Sequence, residues 1–248
     1  MRLDVYFGIQ QVAAADVHNR VVVVVDVLRA STTIAVALAN GAKAVIPVES
    51  SEEAITRSKS FERSDVRLAG ERRMLTIPGF DLGNSPREFA RSAVEGKTVL
   101  LATTNGTGAL VGVQGAREVV VGSYVNSSPV LALLRAAARG AADVSIICAG
   151  HERGFSLEDA TCAGRFVRGV IKRLANVHMN DAARACCLLD KRYGDAIGDI
   201  FADSTHGRAL AEAGFADDLA LCATIDSHAV VPIYADRQIT KLGPERER

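Results

Sequence analysis

The sequence predicts an α/β fold with a largely parallel sheet, because short β-branched apolar runs alternate with amphipathic helical segments. The clearest strand covers residues 20–27 and contains five consecutive valines. A run that is apolar at every position is typical of a strand buried on both faces, as at the centre of a three-layer sheet. The clearest helix carries six apolar residues at helical spacing on one face, namely Ala163, Phe166, Val167, Val170, Ile171 and Leu174.

Seven further segments have the composition of strands, and helical patterns separate most of them. These segments are residues 3–7, 43–48, 66–69, 98–101, 118–121, 144–148 and 230–234. One helix start is marked by Ser85-Pro86, with Glu88 completing a capping box. From about 180 to 222 the pattern is helical, with no strong strand. Because no repeat or linker interrupts the chain, we expect residues 1–248 to form a single domain with a helical C-terminal portion.

The composition excludes several classes of protein. The 248 residues are 48% apolar and 23% charged, which is typical of a folded globular chain and not of a disordered or fibrous one. Lys+Arg and Asp+Glu number 29 each, so no global basic field attracts nucleic acid or anionic lipid. The five cysteines are irregularly spaced and the N-terminus lacks a signal-like apolar region, which favours reduced thiols and a cytoplasmic location. The neutral, Ala- and Val-rich composition is compatible with a homo-oligomer.

Polar residues follow five of the predicted strands. In a parallel sheet, ligands bind beyond the carboxyl ends of the strands. The segments that follow those ends are residues 26–33, 70–73, 103–108, 122–126 and 148–159. They contain carboxylates, guanidiniums, hydroxyls and glycines, so we expect them to converge on one crevice that suits a phosphorylated small molecule and a hard metal ion.

Each chemical task in such a crevice has candidates. Oxygen ligands of the kind that Mg²⁺ prefers can come from Asp26, Glu71, Glu158 and Asp159. Residues 30–33 and 105–108 have the form of helix N-termini, which attract phosphate. Guanidinium groups that can bind phosphate, carboxylate or sulfonate belong to Arg29, Arg72 and Arg73.

Some of these residues have a purely structural alternative. Asn105-Gly106 can form a type I′ hairpin turn instead of a phosphate loop. Ser156 and Asp159 can cap a helix as its N-cap and N3 residues. Asp26 can be a turn residue at the end of its strand.

Other chemically capable side chains carry a weaker signal. Cys148 ends an apolar run, which favours a buried, inert thiol over a nucleophile. Arg73 and Arg153 can be solvated surface charges. The histidines form no recognisable constellation, and His206 can simply begin a helix.

Taken in order, the motifs of the chain resemble the 2-phosphosulfolactate phosphatase family, from about residue 1 to about residue 234. The motifs that carry the resemblance are Asp26-Val27-Leu28-Arg29-Ala30-Ser31-Thr32-Thr33, Leu68-Ala69-Gly70-Glu71-Arg72, Gly79-Phe80-Asp81-Leu82-Gly83-Asn84-Ser85-Pro86, Thr103-Thr104-Asn105-Gly106-Thr107, Cys148-Ala149-Gly150, Ser156-Leu157-Glu158-Asp159 and Ser204-Thr205-His206-Gly207. No family role extends to His151, Glu152 or Arg153.

The resemblance implies a Mg²⁺-dependent acid phosphatase with a three-layer α/β/α sandwich around a largely parallel, mixed sheet. The reaction that names the family hydrolyses (R)-2-phospho-3-sulfolactate to (R)-3-sulfolactate and phosphate. In methanogens this reaction belongs to coenzyme M biosynthesis, and the family also occurs in bacteria with no evident need for coenzyme M. The implied partner is therefore a small anionic phosphoester.

These implications and the residue chemistry together define a hypothesis for the site. Mg²⁺ is assigned to Asp26 and Glu158, with Asp159 as a further candidate ligand. The catalytic candidates are Asp26, Arg29, Glu158 and Cys148. The candidates for binding phosphate and the rest of the substrate are Arg72, Asn84, Ser85, Thr104, Asn105, Gly106 and Thr107. A water molecule on the metal is the default nucleophile, and Cys148 or a carboxylate stays open.

Two other functions remain open at this point. One is a phosphomonoesterase for a different phosphorylated hydroxy acid or sugar acid. The other is a non-catalytic protein that binds small anions. Several carboxylates beside a phosphate loop favour the enzyme.

Overall fold

The computed structural model of the chain describes residues 1–104, 106–152, 154–172, 174 and 176–243, with only the backbone described at 106 and 107. Its strands within that part of the chain are β1 Arg2–Tyr6, β2 Val21–Val25, β3 Ala44–Val48, β4 Val66–Arg72, β5 Leu75–Thr76, β6 Thr98–Ala102, β7 Glu118–Gly122, β8 Val144–Cys148, β9 His178–Met179, β10 Pro232–Ala235 and β11 Gln238–Lys241. They form one mixed sheet in the order β5-β4-β6-β3-β11-β10-β7-β2-β8-β1-β9.

The α-helices cover both faces of this sheet. In the same described residues they are α1 Ala30–Ala39, α2 Ser51–Ser58, α3 Arg91–Val94, α4 Gly106–Val111, α5 Ser127–Arg139, α6 Leu157–Ile171, α7 Asp181–Tyr193, α8 Ile197–Asp203, α9 Thr205–Glu212 and α10 Ala216–Cys222. Helices α7 to α10 confirm the helical portion predicted from about 180 to 222. No helix of the described residues is long and apolar enough to cross a bilayer.

The five valines of β2 show why the fold has three layers. Val21, Val23 and Val25 pack into a core with residues of α5, α6 and α7. Val22 and Val24 pack into a separate core with residues of α1 and α4. Because successive side chains of a strand point to opposite faces, a strand of valines alone supplies both cores. The predicted α/β/α architecture with a mixed sheet is confirmed.

Two parallel blocks make up the sheet, and the β10–β11 hairpin separates them. One block is β4-β6-β3, and the other is β7-β2-β8-β1-β9. The hairpin pairs antiparallel with β3 on one side and with β7 on the other. Three successive antiparallel pairings therefore give the two blocks opposite directions in the sheet order.

Sheet twist reconciles this reversal with a shared ligand-binding edge. Neighbouring strands rotate by about 20–25° relative to each other, so the five steps from β2 to β6 add up to more than a right angle. Strands that are nominally antiparallel can then direct their carboxyl ends towards the same side. The segments after β2, β4, β6 and β8 indeed line one cavity.

The predicted strands agree with the structure apart from their exact ends, whereas three short strands and one helix start were not predicted correctly. Strands β5, β9 and β11 have two to four residues, too few for a periodic pattern. The predicted helix at Ser85-Pro86 is a single 3₁₀ turn, Pro86–Glu88. It lacks the capping box because Glu88 Oε2 instead accepts a hydrogen bond from the backbone of Gly83. The hairpin alternative at Asn105-Gly106 is wrong, because α4 begins at Gly106.

Candidate active site

A cavity of about 570 Å³ opens at the carboxyl ends of β2, β4, β6 and β8. It collects side chains from both parallel blocks and from α9, so the predicted convergence of the strand ends is confirmed for these four strands. Its described lining consists of Asp26, Leu28, Arg29, Glu71, Arg72, Arg73, Met74, Asn84, Thr103, Thr104, His151, Glu152, His206 and Ala209.

Asp26 lies at the end of β2 and is the most buried carboxylate of that lining, with 6% of its surface exposed. Its Oδ1 accepts a hydrogen bond from the backbone N–H of Ala30, in the first turn of α1, at 3.1 Å. Burial raises the pKa of Asp26 to about 6, and the negative charges of Glu71 and Glu158 add to the rise. The second carboxylate oxygen makes no hydrogen bond with a described residue, so Asp26 can offer it to a ligand.

Glu158 and His206 form a pair beside Asp26. Glu158 is in the first turn of α6, and its Oε1 lies 3.4 Å from Nδ1 of His206 on α9. Burial opposes ionisation of Glu158, but the hydrogen bond with His206 and the backbone at the start of α6 lower its pKa. The other oxygen, Oε2, is buried and has no hydrogen-bond partner among the described residues.

His151 stacks on His206 at the wall of the cavity. The ring centroids are 4.3 Å apart and the ring planes differ by 23°. His151 begins a tight turn in which its backbone exchanges two hydrogen bonds with Gly154. Burial, together with the neighbouring His206, lowers the pKa of His151. Its Nδ1 is buried without a hydrogen-bond partner in the described residues.

Asp159 has a structural role at the end of the sheet. Its carboxylate accepts backbone hydrogen bonds from Val27 at 2.8 Å and from Gly150 at 3.2 Å. It thereby ties the segments after β2 and β8 to the start of α6. Ser156 accepts a hydrogen bond from the Asp159 N–H, so the predicted N-cap is confirmed. Burial, with the charges of Asp26 and Glu158, raises the pKa of Asp159.

Arg29 reaches the cavity wall, but its guanidinium is already engaged. Nη1 forms a buried ion pair with Asp218 at 2.7 Å, and Nη2 donates to the carbonyl of Met74 at 3.0 Å. The guanidinium also lies 4.3 Å from the ring centre of Phe215. The hydroxyl of Ser85 donates to the same Asp218 carboxylate at 2.6 Å. Arg29 and Ser85 are therefore parts of one buried network that joins α1, the β4–β5 turn and α10.

The β4–β5 hairpin forms another wall of the cavity. Glu71 fastens it, because Oε2 accepts from the Met74 N–H at 2.9 Å and Oε1 accepts from both the N–H and the hydroxyl of Thr104 at 2.8 Å. Arg72 lines the cavity, and its guanidinium makes no hydrogen bond or salt bridge with a described residue. The Arg72 guanidinium thus keeps its hydrogen-bond donors for a ligand, whereas Thr104 is hydrogen-bonded to Glu71.

The remaining substrate-binding candidates divide into three groups. Asn84 lines the cavity, and its Oδ1 is buried without a hydrogen-bond partner in the described residues. Gly106 and Thr107 contribute backbone to the first turn of α4, which begins four residues after the end of β6. Asn105 lies outside the described residues.

Cys148 does not reach the cavity. Its side chain is completely buried in the core between the sheet and α6. Burial, together with nearby carboxylates and thiols, raises the pKa of this cysteine well above the ordinary range. A buried thiol of this kind is a poor nucleophile.

The carboxylates fit a divalent cation that takes few protein ligands. Among the described residues, no group of three or more His, Cys, Asp or Glu side chains is placed to hold a metal ion. Mg²⁺ is usually held by one or two carboxylates and completes its coordination with water and substrate phosphate. The free oxygens of Asp26 and Glu158 match that requirement, whereas both oxygens of Asp159 already accept hydrogen bonds.

Sequence reasoning missed three residues of the site. His151 and His206 are far apart in the chain, and neither follows a spacing that predicts a pair. Asp218 belongs to the first turn of α10, and from the sequence an acidic residue at that position is expected only to interact favourably with the helix dipole. The one available signal was the resemblance at Ser204-Thr205-His206-Gly207, which marked His206 without giving it a role.

Comparison with known proteins identifies the family of the chain. Residues 7–237 match the family model described as 2-phosphosulpholactate phosphatase. A protein of Caldanaerobacter subterraneus subsp. tengcongensis is 41% identical over 94% of this chain and 95% of its own length. A protein of Symbiobacterium thermophilum is 39% identical over 92% of this chain and 97% of its own length. Both relatives are named "Probable 2-phosphosulfolactate phosphatase". The chain therefore belongs to the 2-phosphosulpholactate phosphatase family, which comprises phosphoric monoester hydrolases.

Proposed function

We propose that this chain is a Mg²⁺-dependent phosphatase that hydrolyses (R)-2-phospho-3-sulfolactate to (R)-3-sulfolactate and phosphate. The observation that carries the proposal is the meeting of Asp26, His206 and Arg72 in the lining of one cavity, with Glu158 paired to His206. The names of the two relatives above support the choice of substrate. The five free, buried cysteines agree with the reducing cytoplasm in which we expect the protein to act.

Charge neutralisation is the main task of the cavity. The substrate carries phosphate, carboxylate and sulfonate, which repel one another and any attacking oxygen. Asp26 and Glu158 would hold Mg²⁺ through their free oxygens, and the ion would stabilise negative charge on the phosphate. Arg72 contacts phosphate oxygens, and the Asn84 amide contacts the organic part of the substrate.

The remaining residues keep these groups in place. Asp159 fixes the strand ends that carry Asp26 and His151. Arg29 positions the β4–β5 turn through its bond to the Met74 carbonyl. Water, and not the Cys148 thiol, is the nucleophile in this proposal, because that thiol is buried away from the cavity.

Release of inorganic phosphate from phosphosulfolactate tests the proposal. We expect turnover with Mg²⁺, loss of turnover in EDTA and recovery when Mg²⁺ is added back. Turnover that survives complete metal removal would contradict the metal assignment. A panel with 2-phosphoglycerate, phospholactate and sugar-acid phosphates tests the substrate, since a higher kcat/KM for one of these would replace phosphosulfolactate. Calorimetric binding of phosphate without turnover of any ester would indicate an anion-binding protein instead.

A further inference from the structure

The cavity contains one arginine that the site described so far leaves without a task. Three arginines belong to its described lining, Arg29, Arg72 and Arg73. The guanidinium of Arg29 is occupied by Asp218, the Met74 carbonyl and the ring of Phe215. The guanidiniums of Arg72 and Arg73 make no hydrogen bond or salt bridge with a described residue. Two guanidiniums with unused hydrogen-bond donors therefore line the cavity from the β4–β5 hairpin.

The two arginines occupy different backbone positions in the β4–β5 hairpin. Arg72 pairs with Leu75 in the β4–β5 ladder, so Arg73 and Met74 are the two central residues of the hairpin turn. Both have positive φ values, 51° and 70°, as a type I′ turn requires. Non-glycine residues rarely adopt this conformation, and here the bond from the Met74 N–H to Glu71 holds it. Arg73 is thus presented at the cavity by a fastened turn and not by a loose loop.

The charge of the proposed substrate exceeds what Arg72 can bind. One guanidinium presents a planar fork that matches the oxygens of one phosphate, carboxylate or sulfonate group. The proposed substrate has an acid group at each of three positions. With Arg29 engaged elsewhere, Arg73 carries the second guanidinium in the described lining that makes no hydrogen bond or salt bridge.

We propose that Arg73 binds a second acid group of the substrate, the sulfonate or the carboxylate, and so selects phosphomonoesters that carry a further anionic group beside the phosphate. This inference rests on the proposed function, since it concerns the same cavity. Arg73, which the sequence alone suggests to be a solvated surface charge, would then determine substrate specificity.

The test compares two substrates in two variants. Wild type, Arg73→Gln and the control Arg139→Gln are assayed with phosphosulfolactate and with p-nitrophenyl phosphate, which has no second acid group. Arg139 ends α5, is exposed and does not line the cavity, so its variant controls for the loss of one positive charge. Arg73→Gln is expected to lower the kcat/KM for phosphosulfolactate, relative to the kcat/KM for p-nitrophenyl phosphate, about 10–100-fold, the effect of one charge-assisted hydrogen bond. The loss should come mainly from a higher KM for phosphosulfolactate.

A binding measurement separates this inference from the proposed function. Titration with (R)-3-sulfolactate, which has both acid groups and no phosphate, is expected to be about 10–100-fold weaker for Arg73→Gln than for wild type. Equal affinity in the two proteins, or an unchanged kcat/KM ratio, would overturn the role of Arg73. Wild-type enzyme that binds sulfolactate through Arg73 but fails to hydrolyse phosphosulfolactate would overturn the proposed function and keep the acid-group site.

Discussion

Nδ1 of His206 lies 3.4 Å from Oε1 of Glu158, which joins the helical C-terminal portion of the chain to the carboxyl end of the sheet. His206 belongs to α9, which lies in the chain between strands β9 and β10. The pair places a titratable ring against the carboxylate that we assign to Mg²⁺ binding. Its disruption should therefore change both the fold's stability and the site.

His206→Ala is expected to destabilise the protein by about 1–3 kcal/mol at neutral pH, because it leaves a buried carboxylate oxygen without a partner. The pKa of Glu158 is lowered in the folded protein despite its burial, chiefly through the hydrogen bond with His206. A carboxyl group whose pKa is lower in the folded protein stabilises the fold at pH values above its unfolded pKa of 4.5. This contribution disappears as the pH falls through the folded pKa. Urea unfolding of wild type and variant should therefore differ at pH 7 and converge in acid.

Exposed His18 provides the control for the loss of an imidazole. His18→Ala should unfold like the wild type across the same pH range. A His206→Ala variant that loses the same free energy of unfolding at pH 3.5 and at pH 7 would show that packing, and not the Glu158 carboxylate, accounts for the effect.

Asp26→Asn is expected to reduce phosphate release by at least about 100-fold, because the variant removes the negative charge that we propose binds Mg²⁺. Asparagine keeps the oxygen that accepts from the Ala30 N–H, so the first turn of α1 should persist. Circular dichroism checks the fold, and Asp236→Asn in the exposed β10–β11 turn is the matched control. Near-normal turnover would remove Asp26 from the mechanism.

The same Asp26→Asn variant is expected to be more stable than wild type in metal-free buffer above pH 6. Burial raises the pKa of Asp26 from 3.8 to about 6, so ionisation of this carboxyl group destabilises the folded state relative to the unfolded state. The group favours folding below pH 3.8, and that advantage is lost as the pH rises through about 6. The difference between these values corresponds to about 3 kcal/mol.

Denaturant unfolding in EDTA at pH 4 and at pH 8 measures this effect. The stability gain of Asp26→Asn should be near zero at the lower pH and reach its full size at the higher one. A variant that is less stable than wild type at pH 8 would mean that the Asp26 carboxylate is stabilised by its surroundings, contrary to its burial among other carboxylates.

Cys148→Ala should keep the kcat of the folded enzyme while lowering its free energy of unfolding by about 0.5–3 kcal/mol, the usual cost of a core substitution. The reason is that the thiol is completely buried in the core and does not line the cavity. Steady-state kinetics on protein of verified fold measure kcat. A large loss of kcat, with a phosphorylated cysteine trapped in the wild type, would make Cys148 the nucleophile.

The layered fold and the cavity edge could be predicted because both follow from local patterns. The valine run of β2 specified burial on both faces, and the polar segments after β2, β4, β6 and β8 specified the edge. The reversal between the two parallel blocks was not predictable, since it depends on where the β10–β11 hairpin pairs in the sheet. Pairing partners far apart in sequence leave no periodic signal in either strand.

Sequence alone determined which side chains were chemically able to serve the site, because strand ends and helix starts are local features of the chain. Only the tertiary structure decided which of them are free. By sequence, Arg29, Thr104 and Arg72 were equal candidates. In the structure Arg29 is bonded to Asp218 and Thr104 is bonded to Glu71. The side chain of Cys148 is buried in the core and does not reach the cavity, whereas His206 pairs with Glu158. The physical reason is that availability depends on neighbours in space, and folding chooses those neighbours from distant parts of the chain.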